Sequence, residues 1–210
     1  MRTLTLSPLM HGGGQFPLML TLFAGGVGLF PVSQHFDANE VLEIVERHGT
    51  ERFREIKTEI KDYSERRMRA AISEIPDGVY TADEFIIDND GWLDEPARIK
   101  VTMTVEGDHI VADFTGTEEQ RRGSCNLTIV ATVSAVFNAI LHMTDADIPA
   151  NAGRYRPIEV IAPKGTLANA TFPASTVGGN SEVHPRVVSL IWKAMADAVP
   201  DRVSASGAET

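Results

Sequence analysis

The residues best equipped for chemistry lie in two short segments. Asp113-Phe114-Thr115-Gly116 stands where a strand-like run ends. A strand end can present a carboxylate and a hydroxyl to a cleft, and a glycine lets the backbone come close to a ligand. Asp113 is therefore a candidate catalytic carboxylate, with Thr115 and Gly116 as candidate substrate-binding residues. The same residue types also make ordinary turns, and that reading stands beside the first. The second segment is Gly178-Gly179-Asn180-Ser181-Glu182, just before a helical pattern. Amides of Gly178, Gly179 and Asn180 could face an oxyanion or a phosphate. Glu182 near such donors would stay ionised, which suits a catalytic base rather than an acid. The alternative is a plain loop whose Glu182 favours the helix dipole.

Four further residues carry two readings each. Asn126 could orient a polar substrate group or tie its own loop together, and the loop reading is favoured. Arg156, between Tyr155 and Pro157, could bind a carboxylate or phosphate, or form a structural ion pair. Cys125 has no assignable His–Asp arrangement, so it reads as a small buried thiol. His184 precedes Pro185 at a helix start, but without a matched ligand partner it reads as a surface or packing histidine rather than a base or metal ligand. No residue is assigned to a metal.

Helices and a hairpin must position these groups. Asp37 or Asn39 can cap a first helix, Gly49 interrupts it, and Thr50 offers a second cap. Phe53, Ile56, Ile60, Tyr63, Met68, Ala71, Ile72 and Ile75 then mark the apolar stripe of an amphipathic helix, ended by Pro76-Asp77-Gly78. Its charged face reads as solvated and laced with ion pairs. Residues 79–87 have strand composition. Ile99, Val101, Met103 and Val105 alternate with Lys100, Thr102 and Thr104, as in a half-buried strand. A turn at Glu106-Gly107-Asp108 and a return strand over 109–115 complete a hairpin. Residues 128–143 read as a buried helix, 157–162 as a short strand, 177–182 as a Gly-centred loop and 187–199 as a helix. Long helices, a hairpin and short mixed strands predict an α+β fold.

Composition narrows the function classes. The 210 residues hold 19 Lys and Arg against 29 Asp and Glu, a net charge of −10. Such a chain lacks the basic field that nucleic acid requires. One cysteine excludes an internal disulfide and a Cys-rich zinc site and fits a reducing, cytoplasmic setting. Residues 1–36 differ from the rest: they are apolar and Gly-rich, with one Arg and no acidic residue. Glycines and prolines break the apolar run, so it is not a spanning segment, and no clean cleavage site completes a signal peptide. His11-Gly12-Gly13-Gly14 and Gly25-Gly26-Val27-Gly28 lack the remainder of a phosphate-binding fingerprint and read as flexible turns.

Several ordered segments carry a family resemblance. Asp62-Tyr63-Ser64-Glu65-Arg66-Arg67-Met68-Arg69, Pro76-Asp77-Gly78-Val79-Tyr80, Asp113-Phe114-Thr115-Gly116-Thr117, the Gly123-x-x-Asn126 turn and Asp147-Ile148-Pro149-Ala150-Asn151-Ala152-Gly153 are similar to segments of the hydantoinase B/oxoprolinase family. So are Arg156-Pro157-Ile158, the run from Ile161 to Leu167, and Gly178-Gly179-Asn180-Ser181-Glu182. The resemblance covers residues 37–210. It implies a B-type subunit of an enzyme that opens cyclic amides such as hydantoins or 5-oxoproline with ATP. An A-type partner subunit would use the ATP, and the two would form a hetero-oligomer acting on a small-molecule substrate. Ketone carboxylation, as of acetone or acetophenone, is the alternative reaction, and a non-catalytic assembly module is the alternative class. The family's metal-site segment, rich in His and Asp, lies in its N-terminal half. Residues 1–36 do not match that half, and neither His11 nor His35 carries over as a ligand. The expectation is a partial member, a fragment of a larger subunit and inactive alone. It would hold no cofactor itself, the ATP being on the partner and a divalent metal in the missing N-terminal half.

Overall fold

A computed structural model describes residues 2–4, 27–29, 42–43, 45–47, 49–86 and 96–204. The first-helix cap at Asp37 or Asn39, His11, His35 and both N-terminal glycine clusters, apart from Val27 and Gly28, lie outside them. The chain forms two compact units: residues 1–68 with 147–156, and residues 69–146 with 157–210.

In the first unit β1 (Arg2–Leu4) pairs in parallel with β2 (Val27–Leu29). Helix α1 (Thr50–Ile72) carries the chain out of this unit. Gly49 precedes it at φ +84°, a conformation that costs a side chain but not glycine. Thr50 is thus the first helical residue rather than a second cap. The expected surface ion pairs form at steps of three, Arg54 with Glu51 at 2.6 Å and Arg52 with Glu55 at 2.8 Å. Residues 152–155 add one 3₁₀ turn, Ala152–Tyr155, whose N-cap is Asn151.

The second unit is a four-stranded mixed sheet backed by two helices, which makes the fold α+β. Its order is β3 (Gly78–Ile86), β4 (Ala97–Glu106), β5 (His109–Asp113), β6 (Ile158–Ile161), antiparallel except for the parallel β5–β6 pair. In β4 Ala97, Ile99, Val101, Met103 and Val105 are buried, and the intervening residues are partly exposed. That period of two follows from the pleat. Gly107 turns the hairpin at φ +59°, and its N–H donates to Asp77 Oδ1 at 2.8 Å.

Helix α2 (Ile129–Met143) starts at Thr128, whose hydroxyl accepts from the Ala131 N–H. The Thr- and Val-rich start is helical because this cap satisfies a free donor there. Helix α3 (His184–Met195) packs on α2, β3 and β4. It starts earlier and ends earlier than its apolar spacing suggests. Pro185 is tolerated in the first turn because no donor is needed there. After Met195 the N–H groups of Ala198 and Val199 turn back onto its carbonyl. Gly178-Gly179-Asn180-Ser181-Glu182, expected as a loop, is instead a π-helical turn, Gly179–Val183, running straight into α3. Among the described residues no helix is long and apolar enough to cross a membrane.

Candidate functional site

Asn126 is fully buried at the centre of a knot of main-chain segments. Its carboxamide oxygen accepts from the Arg121 N–H at 2.7 Å, and its Nδ2 reaches the carbonyls of Arg121 and Gly123 at 2.9 Å and of Ser175 at 2.8 Å. Gly178 and Gly179 belong to the same knot. The Gly179 N–H donates to Ser124 O at 2.9 Å, so it is not on offer to a ligand. A Cβ on Gly179 would sit 2.0 Å from Asn126 O, and one on Gly178 would sit 2.7 Å from Ser124 Oγ. Gly179 allows two backbones to touch, Gly178 leaves room for the Ser124 hydroxyl, and Asn126 ties its loop as the favoured reading has it. Beyond them Asn180 is exposed and Glu182 is partly exposed on the π turn. His184, next along, is pushed below its ordinary 6.5 by burial.

Asp113 ends β5 as expected, but the strand stops there rather than at Thr115. The reason is local: Asp113 Oδ1 accepts the Thr115 N–H at 2.8 Å and bends the chain. Phe114 is fully buried, its N–H on Ile161 O. Thr115 and Gly116 are exposed, Gly116 at φ +94°. Thr117 then returns the chain to β4, its hydroxyl donating to Lys100 O and accepting from Lys100 N, each at 3.1 Å. Asp113 lies next to buried Ala112, and strand alternation points it away from the face that carries the core. Asp113 stands at the end of β5 and Glu182 on the π turn, so different elements position the two candidate carboxylates.

Arg156 lies in the first unit, where its guanidinium donates to Asp62 at 2.8 Å and Glu65 at 2.7 Å. Hydrogen bonds to Glu65 and then Asp62 raise its affinity for its proton further. These carboxylates flank Ser64, which sequence reasoning did not single out. Ser64 is fully buried, accepts from Asn151 Nδ2 at 2.7 Å and donates to Pro149 O at 3.4 Å. A signal was present: Ser64 sits midway between Ile60 and Met68 on the apolar stripe, a polar side chain where the period asks for an apolar one. Cys125 is buried. Among the described residues no group of three or more His, Cys, Asp and Glu side chains is placed to share a metal ion.

Residues 33–210 match the family model for Hydantoinase B/oxoprolinase. The chain belongs to that family. Among curated hydantoinase B/oxoprolinase relatives, a candidate B-type subunit of a D-/L-hydantoinase from Pseudomonas sp. strain NS671 is 38% identical over 80% of this chain and 30% of its own length. The beta chain of the caprolactamase of Pseudomonas jessenii is 29% identical over 79% of this chain and 28% of its own. In three dimensions the chain is similar to the ATP-dependent caprolactamase of Pseudomonas jessenii, with a TM-score of 0.70 and 27% identity over 78% of this chain and 28% of the other. A nucleotide-free acetone carboxylase gives 0.67 at 18% identity over 78% and 23%, a likeness of fold alone. This hydantoinase B-type chain therefore spans about 30% of the length of these hydantoinase and caprolactamase relatives.

Proposed function

We propose that this hydantoinase B-type chain is part of the B-type component of an ATP-dependent cyclic-amide hydrolase, working with an A-type subunit that uses the ATP. The observation that carries the reading is the joint match, in sequence and in fold, to a component of ATP-dependent caprolactamase. A hydantoinase relative at higher identity supports the same substrate class, a ring closed by an amide. The acetone carboxylase likeness is one of fold and does not favour carboxylation. On this chain Glu182 is the proposed base and Asn180 its exposed polar neighbour. Asp113, Thr115 and Gly116 form a second candidate edge. The divalent metal that the resemblance implies is proposed to sit in the N-terminal half of the family's longer chains.

An unstrained amide carbonyl is a poor electrophile, and phosphorylation of its oxygen by an ATP-using partner would convert it into a good one. The test is ADP release by the full-length B-type component that contains this chain, assembled with an A-type subunit and supplied in turn with hydantoin, 5-oxoproline, caprolactam and acetophenone. Turnover with at least one cyclic amide is expected. Turnover with the ketone alone would replace hydrolysis by carboxylation, and none with any would leave assembly as the role.

A further inference from the structure

We propose that Asn126 is a positioning residue that holds the π turn, and through it the Glu182 carboxylate, in place for the reaction; the inference rests on the reading of Glu182 as the base. Its side chain is fully buried and committed to the protein's own main chain. The two hydrogens on Nδ2 are shared among three carbonyls and the oxygen accepts the Arg121 N–H. What those bonds do is join segments far apart in sequence, since Ser175 lies 49 residues on. The same residue meets the turn itself through its main chain, where Asn126 O abuts Gly179 so closely that no Cβ fits. Ser124 O holds the Gly179 N–H beside it. The chain is thus gripped just before and at the first residue of the π turn, and Glu182 follows three residues later within the same turn. A π turn is rare and is frequently found at functional sites.

Asn126→Asp is a sharp probe, because it keeps the shape and sets an acceptor against three carbonyls. Gly179→Ala displaces the turn from the other side. In the assembled enzyme with a turned-over cyclic amide, each is expected to lower kcat about ten-fold or more with KM moved less than about two-fold. Added to Glu182→Gln, neither should lower kcat further, because residues acting as a unit are not additive. Losses that multiply in the double variants, or a full kcat in Asn126→Asp, overturn the proposal. Full activity in Glu182→Gln alone would instead remove the base assignment, and with it the function proposed for Asn126. Hydrogen exchange on the unaltered chain decides the matter if neither variant folds. Amides of 179–183 must open together with those of 121–126, and separate opening overturns the proposal.

Discussion

The Asn151 carboxamide donates to the Ser64 hydroxyl at 2.7 Å across 87 residues of chain. This bond is a buried polar contact within the first unit, since Ser64 is fully buried, and Asn151 also accepts the Gly153 N–H at 2.8 Å to cap the 3₁₀ turn. Asn151→Ala removes both and is expected to cost about 1–3 kcal/mol. Denaturant unfolding measures it, and Ser64→Ala combined with Asn151→Ala should cost less than the two singles summed.

Gly153 lies backbone to backbone against α1. A Cβ there would stand 1.9 Å from Lys61 O, which no rotamer change relieves. Gly153→Ala is expected to destabilise by about 3 kcal/mol or more, the upper end of overpacking. Gly165→Ala is the control. That residue sits at φ +81° with nothing near a Cβ, so only backbone strain of about 1–2 kcal/mol is expected. Equal losses in thermal unfolding would refute the contrast.

Arg156 bridges Asp62 and Glu65 at the surface, with the three side chains 42%, 44% and 21% exposed. Such a pair is screened by solvent and ions. Arg156→Gln should lower the midpoint slightly at low salt and not at all in molar salt. A loss that persists at high salt would mark Arg156 as more than a surface clamp.

His184 binds its proton less readily when folded, because burial disfavours the charged ring. A histidine lowered from 6.5 is neutral at no cost above that value. As the pH falls below 6.5 the unfolded chain takes up the proton first, so stability is lost until the folded value is passed. His184→Gln should flatten this part of the stability–pH curve, and an unchanged slope would exclude the effect.

The hairpin was legible because one strand face is buried: Ile99, Val101, Met103 and Val105 must alternate, and a one-residue slip would turn them all to water. α2 was legible from Thr128 and the uncharged run behind it. The Gly-Gly-Asn-Ser-Glu segment was not, since two glycines ordinarily announce a loop. They form a helical turn here because Asn126 and Ser124 press against them, and no local pattern marks that approach. The role of Ser64 was equally hidden, because its partner Asn151 lies in another motif with no spacing rule between them.

The amino-acid sequence alone determined the family, the α+β class, the helix stripe and the strand alternation, because each is written in residues close together along the chain. Tertiary structure decided which polar groups meet. It gave Asn126 to Ser175 and Gly179, Ser64 to Asn151, and Arg156 to Asp62 and Glu65. Hydrogen bonds act over about 3 Å, whereas these partners are separated by tens of residues, so only the folded backbone brings one within reach of the other.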